Sequence, residues 1–199
     1  MFHISDEQEF NDCSFEDCSI EEQRARNVIF RDTIFKNVNF ADVDLSDVTF
    51  SNVQFENCDL SNINLDHAII HKTTFKYCKL IGIHLSDASM KDVRFEVCNC
   101  SYAIWGGSSM KETVFEACKM DYSSFVMCKL SKVKFINCEM QRIEVAGTKL
   151  KGIDFTSCII DGMNFKLEDL RGVIVTPLQA LELSKVLGII IKNSEEKED

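Results

Sequence analysis

The sequence is poor in the residues that most globular β folds use for their turns. Its 199 residues include one Pro and eight Gly, which argues against an all-β fold joined by Pro- and Gly-rich turns. No run of about eighteen apolar residues occurs, so we expect no membrane-spanning segment. The N-terminal residues MFHISDEQEF lack a basic region followed by an apolar stretch, and the sequence therefore predicts no signal peptide.

Charge and cysteine content narrow the classes of partner and compartment. The formal net charge is −10, which argues against nucleic acid as a ligand and favours basic partners. The ten cysteines occur without a secretion signal. We therefore expect free thiols and a cytoplasmic location rather than a disulfide framework.

The apolar residues repeat with a period of five. All 33 positions divisible by five from Phe10 to Leu170 are apolar, and they hold 14 of the 15 Phe residues. A smaller side chain such as Val, Cys or Ala generally stands two residues earlier. Neither a helix, with a period of about 3.6, nor a strand, with a period of 2, explains this spacing. A five-residue unit fits one side of a square coil, with four sides making a coil of 20 residues.

Residue identity also recurs at intervals of 20, as stacked coils require. One column consists of Phe alone: Phe15, Phe35, Phe55, Phe75, Phe95, Phe115, Phe135 and Phe155. A second column consists of Cys, with Val38 as its one exception: Cys18, Cys58, Cys78, Cys98, Cys118, Cys138 and Cys158. Parallel strands are spaced by about 4.8 Å, which allows aromatic rings to stack with an offset. The sequence predicts an all-β, four-sided parallel β-solenoid, whose hand the repeat alone does not give.

This repeat resembles that of the pentapeptide-repeat proteins. The resemblance implies a right-handed quadrilateral parallel β-helix of about eight 20-residue coils, followed by a short C-terminal helix and strand. We expect an N-terminal cap over residues 1–9, the β-helix over 10–175, a capping and dimerisation segment over 176–192, and a disordered tail over 193–199.

The C-terminal segment has a different period. Thr176 and Pro177 suit the start of a helix and Gly188 suits its end, and the aliphatic run Ile189–Ile191 predicts a strand. This segment has more apolar surface than one coil end needs, so we expect a two-fold homodimer through it. By resemblance to the Qnr-type quinolone-resistance proteins, the dimer-forming residues are Leu178, Leu181, Val186, Leu187, Ile189 and Ile191.

Two stretches strain the repeat. Glu21–Ala25 places Gln and Ala where larger apolar side chains belong, which predicts a loosened side or a bulge. Ala103–Ser109 places Trp105 at a centre, followed by Gly106 and Gly107. We interpret both stretches as packing adjustments, with a binding feature as the alternative.

Little in the sequence favours catalysis. It contains no Gly-rich phosphate loop, nucleophile elbow or paired Cys-x-x-Cys unit, and the four His residues share no column. We therefore expect no enzyme activity, no cofactor, no metal and no small-molecule substrate. Cys98 and Cys100 are the one thiol cluster worth testing, because a thiol column also admits metal or redox sensing as a third hypothesis. Core packing is the simpler interpretation.

The acidic residues are concentrated near the N-terminus. Residues 1–71 hold fifteen Asp and Glu against four Lys and Arg, and residues 72–199 hold seventeen against eighteen. The segment 37–71 contains no Lys or Arg, and its outward carboxylates form a candidate partner-binding surface: Asp42, Asp44, Asp47, Glu56, Asp59 and Asp66.

Three interpretations of this charge remain open. It keeps the rod soluble, it serves a scaffold with an unrelated partner, or it imitates duplex DNA. Resemblance to the Qnr-type branch implies the third, with a type II topoisomerase such as DNA gyrase or topoisomerase IV as partner and quinolone protection as a consequence. Two features depart from that branch. No loop interrupts the repeat between Phe10 and Leu170, and the C-terminal half carries six outward lysines: Lys119, Lys129, Lys132, Lys134, Lys149 and Lys151.

Overall fold

The computed structural model describes residues 3–20, 23–186 and 188–191. The chain winds into a parallel β-solenoid in which each residue lies beside the residue 20 positions later. The strands are β1 Glu9–Asn11, β2 Ser14–Glu16, β3 Ile29–Lys36, β4 Thr49–Glu56, β5 Ile69–Lys76, β6 Ser89–Glu96, β7 Ser109–Lys111, β8 Val114–Glu116, β9 Lys129–Ser131 and β10 Lys134–Ile136. A 3-10 helix spans Leu167–Leu170 and the helix α1 spans Pro177–Lys185.

The parallel register confirms the predicted 20-residue coil. Strand order is β1-β3-β4-β5-β6-β7-β9, with β2 pairing with β3, and β8 pairing with both β6 and β10. Phe30 lies beside Phe50 and Phe35 beside Phe55. The paired strands span about six turns, and isolated bridges continue the same register as far as Ile174.

Each coil has four sides, which are named here by the buried residue at their centres in one coil. Side 1 is centred on Phe30, side 2 on Phe35, side 3 on Phe40 and side 4 on Leu45. Sides 1 and 2 carry the strands, and the long strands β3 to β6 run through both. Sides 3 and 4 are held by single bridges, such as that between Asp44 and Asn64 on side 4.

The Phe column forms the central stack of the interior. Ring centroids are 4.7 Å apart between Phe55 and Phe75 and 4.8 Å apart between Phe75 and Phe95, with interplanar angles of 3° and 4°. These rings are fully buried. Burial of each Phe side chain contributes roughly 2–3 kcal/mol before the entropic cost of ordering it. The identical side chains therefore both fill the core and hold the coils in register.

The two strained stretches are accommodated within the repeat. Trp105 is fully buried, stacks on Phe125 at 5.6 Å and meets Phe95 and Phe115 edge-on. The packing interpretation of Trp105 is thus confirmed. In the other stretch, Ala25 is buried and its amide donates to the Asp44 carbonyl at 2.9 Å, so that side keeps its register where the structure describes it.

A left-handed residue turns most of the corners. In the described part of the chain, the residue two places after a buried centre generally has a positive φ, between 48° and 62° where it is not glycine, and Ser157 is an exception. Asn, Asp and Gly adopt this conformation at the least cost, and they occupy most of the corners. The period of five therefore has a backbone cause as well as a packing cause.

The C-terminal helix caps the last coil. Thr176 and Gln179 form a capping box at the start of α1. The Gln179 side-chain amide also donates to the carbonyls of Phe155 and Cys158, at 2.8 and 2.7 Å. The strand expected at Ile189–Ile191 is not formed, since these residues are irregular and the single chain offers them no adjacent strand to pair with. Among the described residues, no helix has the length and apolarity to cross a membrane.

Val97 provides a test of the corner conformation. It has φ of 53° and is exposed, and a β-branched residue is strained in this region. We expect Val97→Asn to raise the free energy of unfolding by about 1 kcal/mol, as measured by chemical denaturation. Val97→Thr keeps the β-branch and is the matched control, so equal stability of the two variants would contradict a strained corner.

Candidate functional site

The six acidic residues predicted to bind a partner all lie on the outside of the rod, but not on one side of it. Four of them line side 4 and the two corners that bound it: Asp42, Asp44, Asp47 and Asp66. Asp59 stands on side 3 and Glu56 on side 2. The candidate surface is therefore split among three sides.

Glu56 and Asp59 have cationic neighbours in the adjacent coils. Glu56 lies in register between Lys36 and Lys76, and the Lys79 ammonium lies 3.3 Å from an Asp59 carboxylate oxygen. A segment that contains no Lys or Arg along the sequence thus gains cations from the neighbouring coils. These two carboxylates contribute little net negative charge to a binding surface.

The Asp59 carboxylate also has a local structural role. It accepts hydrogen bonds from the Ser61 amide at 3.1 Å and the Ser61 hydroxyl at 2.6 Å. Partial burial opposes ionisation, but these hydrogen bonds and the Lys79 charge outweigh it and lower the pKa of Asp59. Asp59 therefore stabilises the turn on side 3.

Side 4 carries the most continuous negative charge. Across the segments 42–47, 62–67 and 82–87, side 4 and its corners contain no Lys or Arg. Their carboxylates are called the side-4 acidic strip: Asp42, Asp44, Asp47, Asp66 and Asp87. Sequence reasoning missed Asp87 because it lies outside the segment 37–71, although its position, 40 residues after Asp47, places it in the same column.

The members of this strip differ in how far they are already engaged. Arg24 lies 3.0 Å from Asp44, and Asp66 accepts a hydrogen bond from the Ser86 amide at 2.7 Å. Asp42 accepts one from the Asn62 side chain at 3.1 Å. The Asp47 and Asp87 carboxylates have no hydrogen-bond or ion-pair partner among the described residues. Asp47 and Asp87 are thus the members of the strip most available to a partner.

The spacing of charge along side 4 is similar to that of one DNA strand. The strip spans three coils, or about 14 Å at the parallel-strand spacing of about 4.8 Å. Its five carboxylates therefore average one per roughly 3 Å, against one phosphate per about 3.4 Å along one strand of duplex DNA. In charge spacing, side 4 is comparable to one phosphate backbone of a DNA duplex rather than to its two backbones together.

Lysines are concentrated on side 1 of the C-terminal coils. The members of this row are exposed: Lys91, Lys111, Lys129, Lys132, Lys149 and Lys151. One of them is paired, since the Lys132 ammonium lies 2.7 Å from a Glu112 carboxylate oxygen. The rod therefore has its acidic strip and its lysine row on different sides and in different halves.

The cysteine column packs against the core, and five of its thiols donate to a backbone carbonyl of the preceding coil. Cys58, Cys98 and Cys138 donate to the carbonyls of residues 35, 75 and 115 in the preceding coil, each at 3.4 Å. Thiols are weak donors that otherwise behave as small apolar groups. Cysteine fits this column because it fills the space of Val while meeting one carbonyl.

The thiols are unpaired with one another and mostly enclosed by the core. All ten are free, and eight are buried, including Cys98 and Cys100. In the described part of the chain, no three or more His, Cys, Asp or Glu side chains are grouped to hold a metal ion. Burial raises the pKa of Cys128 and of Cys100 above the ordinary range, and this keeps both thiols protonated and unreactive.

The C-terminal segment separates its capping residues from its exposed ones. Gln179 and the partly buried Leu183 face the coils, and sequence reasoning singled out neither. Five of the six predicted dimer residues are exposed in the single chain: Leu178, Leu181, Val186, Ile189 and Ile191. Leu187 and the tail 193–199 lie outside the described residues. Leu178 is 76% exposed and Ile190 is 85% exposed, which leaves an apolar surface at the end of the rod.

Two family models match the repeat. One describes a pentapeptide repeat region and matches residues 48–112 and 108–165. The other describes pentapeptide repeats in eight copies and matches residues 13–52. The chain belongs to the pentapeptide-repeat family. No functionally curated protein matches this pentapeptide-repeat chain closely enough to count as a relative.

Solved pentapeptide-repeat structures resemble it in fold. Full-length QnrB1, a plasmid-mediated fluoroquinolone resistance protein, is 16% identical, with 91% of this chain and 100% of QnrB1 covered and a TM-score of 0.32. HetL from the cyanobacterium Nostoc, involved in the regulation of heterocyst differentiation, is 14% identical over 85% of this chain and 90% of HetL, with a TM-score of 0.41. At these identities the likeness concerns the fold and says nothing of a partner.

Thiol accessibility is testable by alkylation. We expect excess maleimide to modify Cys13 and Cys18, which are half-buried, within minutes, and the eight buried thiols only after denaturation. Mass spectrometry with and without guanidinium measures the number of adducts. Modification of most thiols in the folded protein, or fewer than ten adducts after denaturation, would contradict free and buried packing residues.

The exposed C-terminal surface leads to a prediction about oligomeric state. We expect a dimer in analytical ultracentrifugation and a shift to monomer in Leu178→Glu, because a buried charge opposes an apolar interface. Met127→Glu changes another exposed apolar residue that lies away from α1, and it should leave the dimer intact. A monomeric wild-type chain at micromolar concentration would refute this assignment.

Proposed function

We propose that this chain is a non-enzymatic acidic rod that binds a DNA-binding protein in the place of duplex DNA. The observation that carries the proposal is the side-4 acidic strip, in which five carboxylates follow three coils without a Lys or Arg on that side. The proposed partner is a type II topoisomerase such as DNA gyrase or topoisomerase IV. Protection from quinolones is the expected consequence in a bacterium.

The rigidity of the solenoid supports this function. Asp42, Asp47 and Asp87 project from corners whose φ values are 62°, 62° and 54°, and every coil is bonded to the next along this part of the rod. Because the carboxylates are already held at fixed positions, little conformational entropy is lost from this surface when a partner binds it. Charge complementarity also speeds the encounter with a basic DNA-binding groove.

The proposed dimer sets where the partner binds. Pairing through α1 places the two C-terminal halves, with their lysine rows, at the centre of the assembly. The two acidic strips then lie toward its far ends. The proposed assembly presents two separate DNA-like surfaces rather than one continuous imitation of a duplex. Contact with such an enzyme requires a cytoplasmic location, which the ten free thiols suit.

A gyrase supercoiling titration tests the proposal. The purified protein is titrated into the assay with and without a quinolone, alongside the triple variant Asp42→Asn, Asp47→Asn and Asp87→Asn. Asn tolerates the left-handed corner as well as Asp does, so the variant removes charge without straining the backbone. We expect the variant to lose about tenfold in potency, as for other lost interface charges.

The matched control removes three carboxylates from another corner. Asp12, Asp32 and Asp92 share one column, with φ values of 52°, 50° and 57°, and their replacement by Asn should change potency little. No effect of the wild-type rod on gyrase or topoisomerase IV, with or without the drug, would overturn the proposal. Equal losses in the two triple variants would show that net charge, and not the strip, determines binding.

A further inference from the structure

The ladder between two C-terminal coils is interrupted on sides 1 and 2. In earlier coils the amides at these positions donate to carbonyls of the adjacent coil. The Glu112 amide donates to the Ser131 carbonyl at 2.9 Å, and the Lys134 amide donates to the Thr113 carbonyl at 3.0 Å. Within the described ranges, the equivalent amides of Lys132 and Asp154 make no such bond. Strand β10 pairs with β8 alone, so its C-terminal edge is open.

Sides 3 and 4 of the same two coils stay closed. The Met140 amide donates to the Ile159 carbonyl at 2.8 Å and the Val145 amide to the Asn164 carbonyl at 2.9 Å. Sides 3 and 4 are thus bonded through their backbones. On sides 1 and 2 the backbone ladder is open, and the Asn137 amide donates instead to the Ser157 hydroxyl at 3.1 Å at the end of side 2, which makes the opening wedge-shaped.

Ring stacking follows the same distortion. Phe135 and Phe155 are 5.5 Å apart and inclined by 27°, against 4.7 Å and 4° for Phe95 and Phe115. The inner ends of the coils therefore still touch, and the gap faces outward.

Local side chains also respond to the opening. The Cys138 thiol donates to the Phe115 carbonyl at 3.4 Å, whereas the Cys158 thiol has the Ser157 hydroxyl at 3.9 Å and no bond to the Phe135 carbonyl. At Gly152 an added Cβ would meet nothing within 4 Å, whereas at the corner of Gly162 it would meet Arg142 at 3.0 Å. The corner at Lys132 is therefore farther from the corner at Gly152, one coil later, than the corner at Arg142 is from the corner at Gly162.

A cavity of about 540 Å³ occupies this opening. That volume lies within the range of ordinary ligand sites. Its apolar lining residues are Val133, Phe135 and Ile136, with Ile174 from the following coil, and its polar ones are Lys132, Lys134, Asp154, Thr156 and Ser157.

The electrostatics of the opening favour an anionic occupant. Lys134 has no ion-pair partner among the described residues, and the side-1 lysines Lys129, Lys149 and Lys151 are close by in the same coils. The one lining carboxylate, Asp154, is already engaged by the Thr156 amide and hydroxyl, at 2.8 and 2.7 Å. The surroundings are therefore positive, although the whole chain is acidic.

We propose that this opening binds an extended acidic peptide segment of a partner protein. The unpaired Lys132 amide and Val133 carbonyl on one coil, and the unpaired Asp154 amide on the next, leave backbone donors and an acceptor at the opening for an extended segment to bond. The apolar floor takes one of its side chains, and Lys134 with the side-1 lysines meets its carboxylates. This site lies on other sides of the rod from the side-4 acidic strip, so it acts on a second partner or on a second contact with the same one.

Binding of a labelled peptide tests the proposal directly. The probe is a fluorescein-labelled octapeptide of alternating glutamate and valine, measured by fluorescence polarisation on the full-length chain. We expect binding about tenfold tighter than that of the lysine–valine counterpart, and a similar loss when alternate peptide nitrogens are methylated, because backbone pairing provides the affinity. No binding at millimolar protein, or equal binding of the three peptides, would overturn the proposal.

Two charge variants locate the site. Lys134→Glu should weaken binding of the glutamate–valine peptide about tenfold, because it reverses a charge at the mouth of the cavity. Lys91→Glu makes the same change of net charge two coils away and should leave affinity unchanged. Hydrogen exchange adds a second readout, in which the amides of Lys132 and Asp154 exchange rapidly alone and slowly with peptide. Equal weakening by both variants, or unaltered exchange at these amides, would contradict the site.

Discussion

The five-residue unit depends on one backbone requirement, a left-handed residue two places after nearly every buried centre. This residue turns the corner, so the next inward side chains come three and five residues after a buried centre, as Thr33 and Phe35 do after Phe30. Four corners close a coil, and the closed coil places Phe on Phe and Cys on Cys at the spacing of parallel strands. The aromatic stack, the thiol-to-carbonyl bonds and the side-by-side ladders all follow from this geometry.

The same requirement links fold to surface charge. A corner accepts Asn, Asp and Gly at little cost, and among these only Asp carries charge. Asp47 and Asp87 therefore satisfy the backbone and remain free to meet a partner. By contrast, the Asp59 and Asp66 carboxylates accept hydrogen bonds from backbone amides, and these bonds leave them less available to a partner. The side-4 acidic strip is concentrated at its corners for this reason.

The interior was predictable from the sequence because its period is local and unbroken. The 20-residue register was confirmed, and the Phe and Cys columns pack in or against the core. Side-chain contacts between coils were harder to predict from the sequence, because they join residues 20 positions apart and the charge of one does not determine the charge of the other. The ion pair of Lys79 with Asp59 is such a contact, and it removes part of the predicted acidic surface. The strand expected at Ile189–Ile191 failed because an apolar run makes a strand only beside another strand. The repeat did not predict the opening after β10, because the buried centres Phe135 and Phe155 are still 20 residues apart in the sequence.

The central claim is that the rod occupies the DNA site of a DNA-binding enzyme, and competition with duplex DNA tests it most directly. A short labelled duplex bound to gyrase is titrated with the unlabelled rod at two salt concentrations. The account predicts full displacement of the duplex, with an apparent affinity that falls as salt rises, because both ligands are recognised through negative charge. A ternary complex of enzyme, duplex and rod, or displacement that is insensitive to salt, would contradict it.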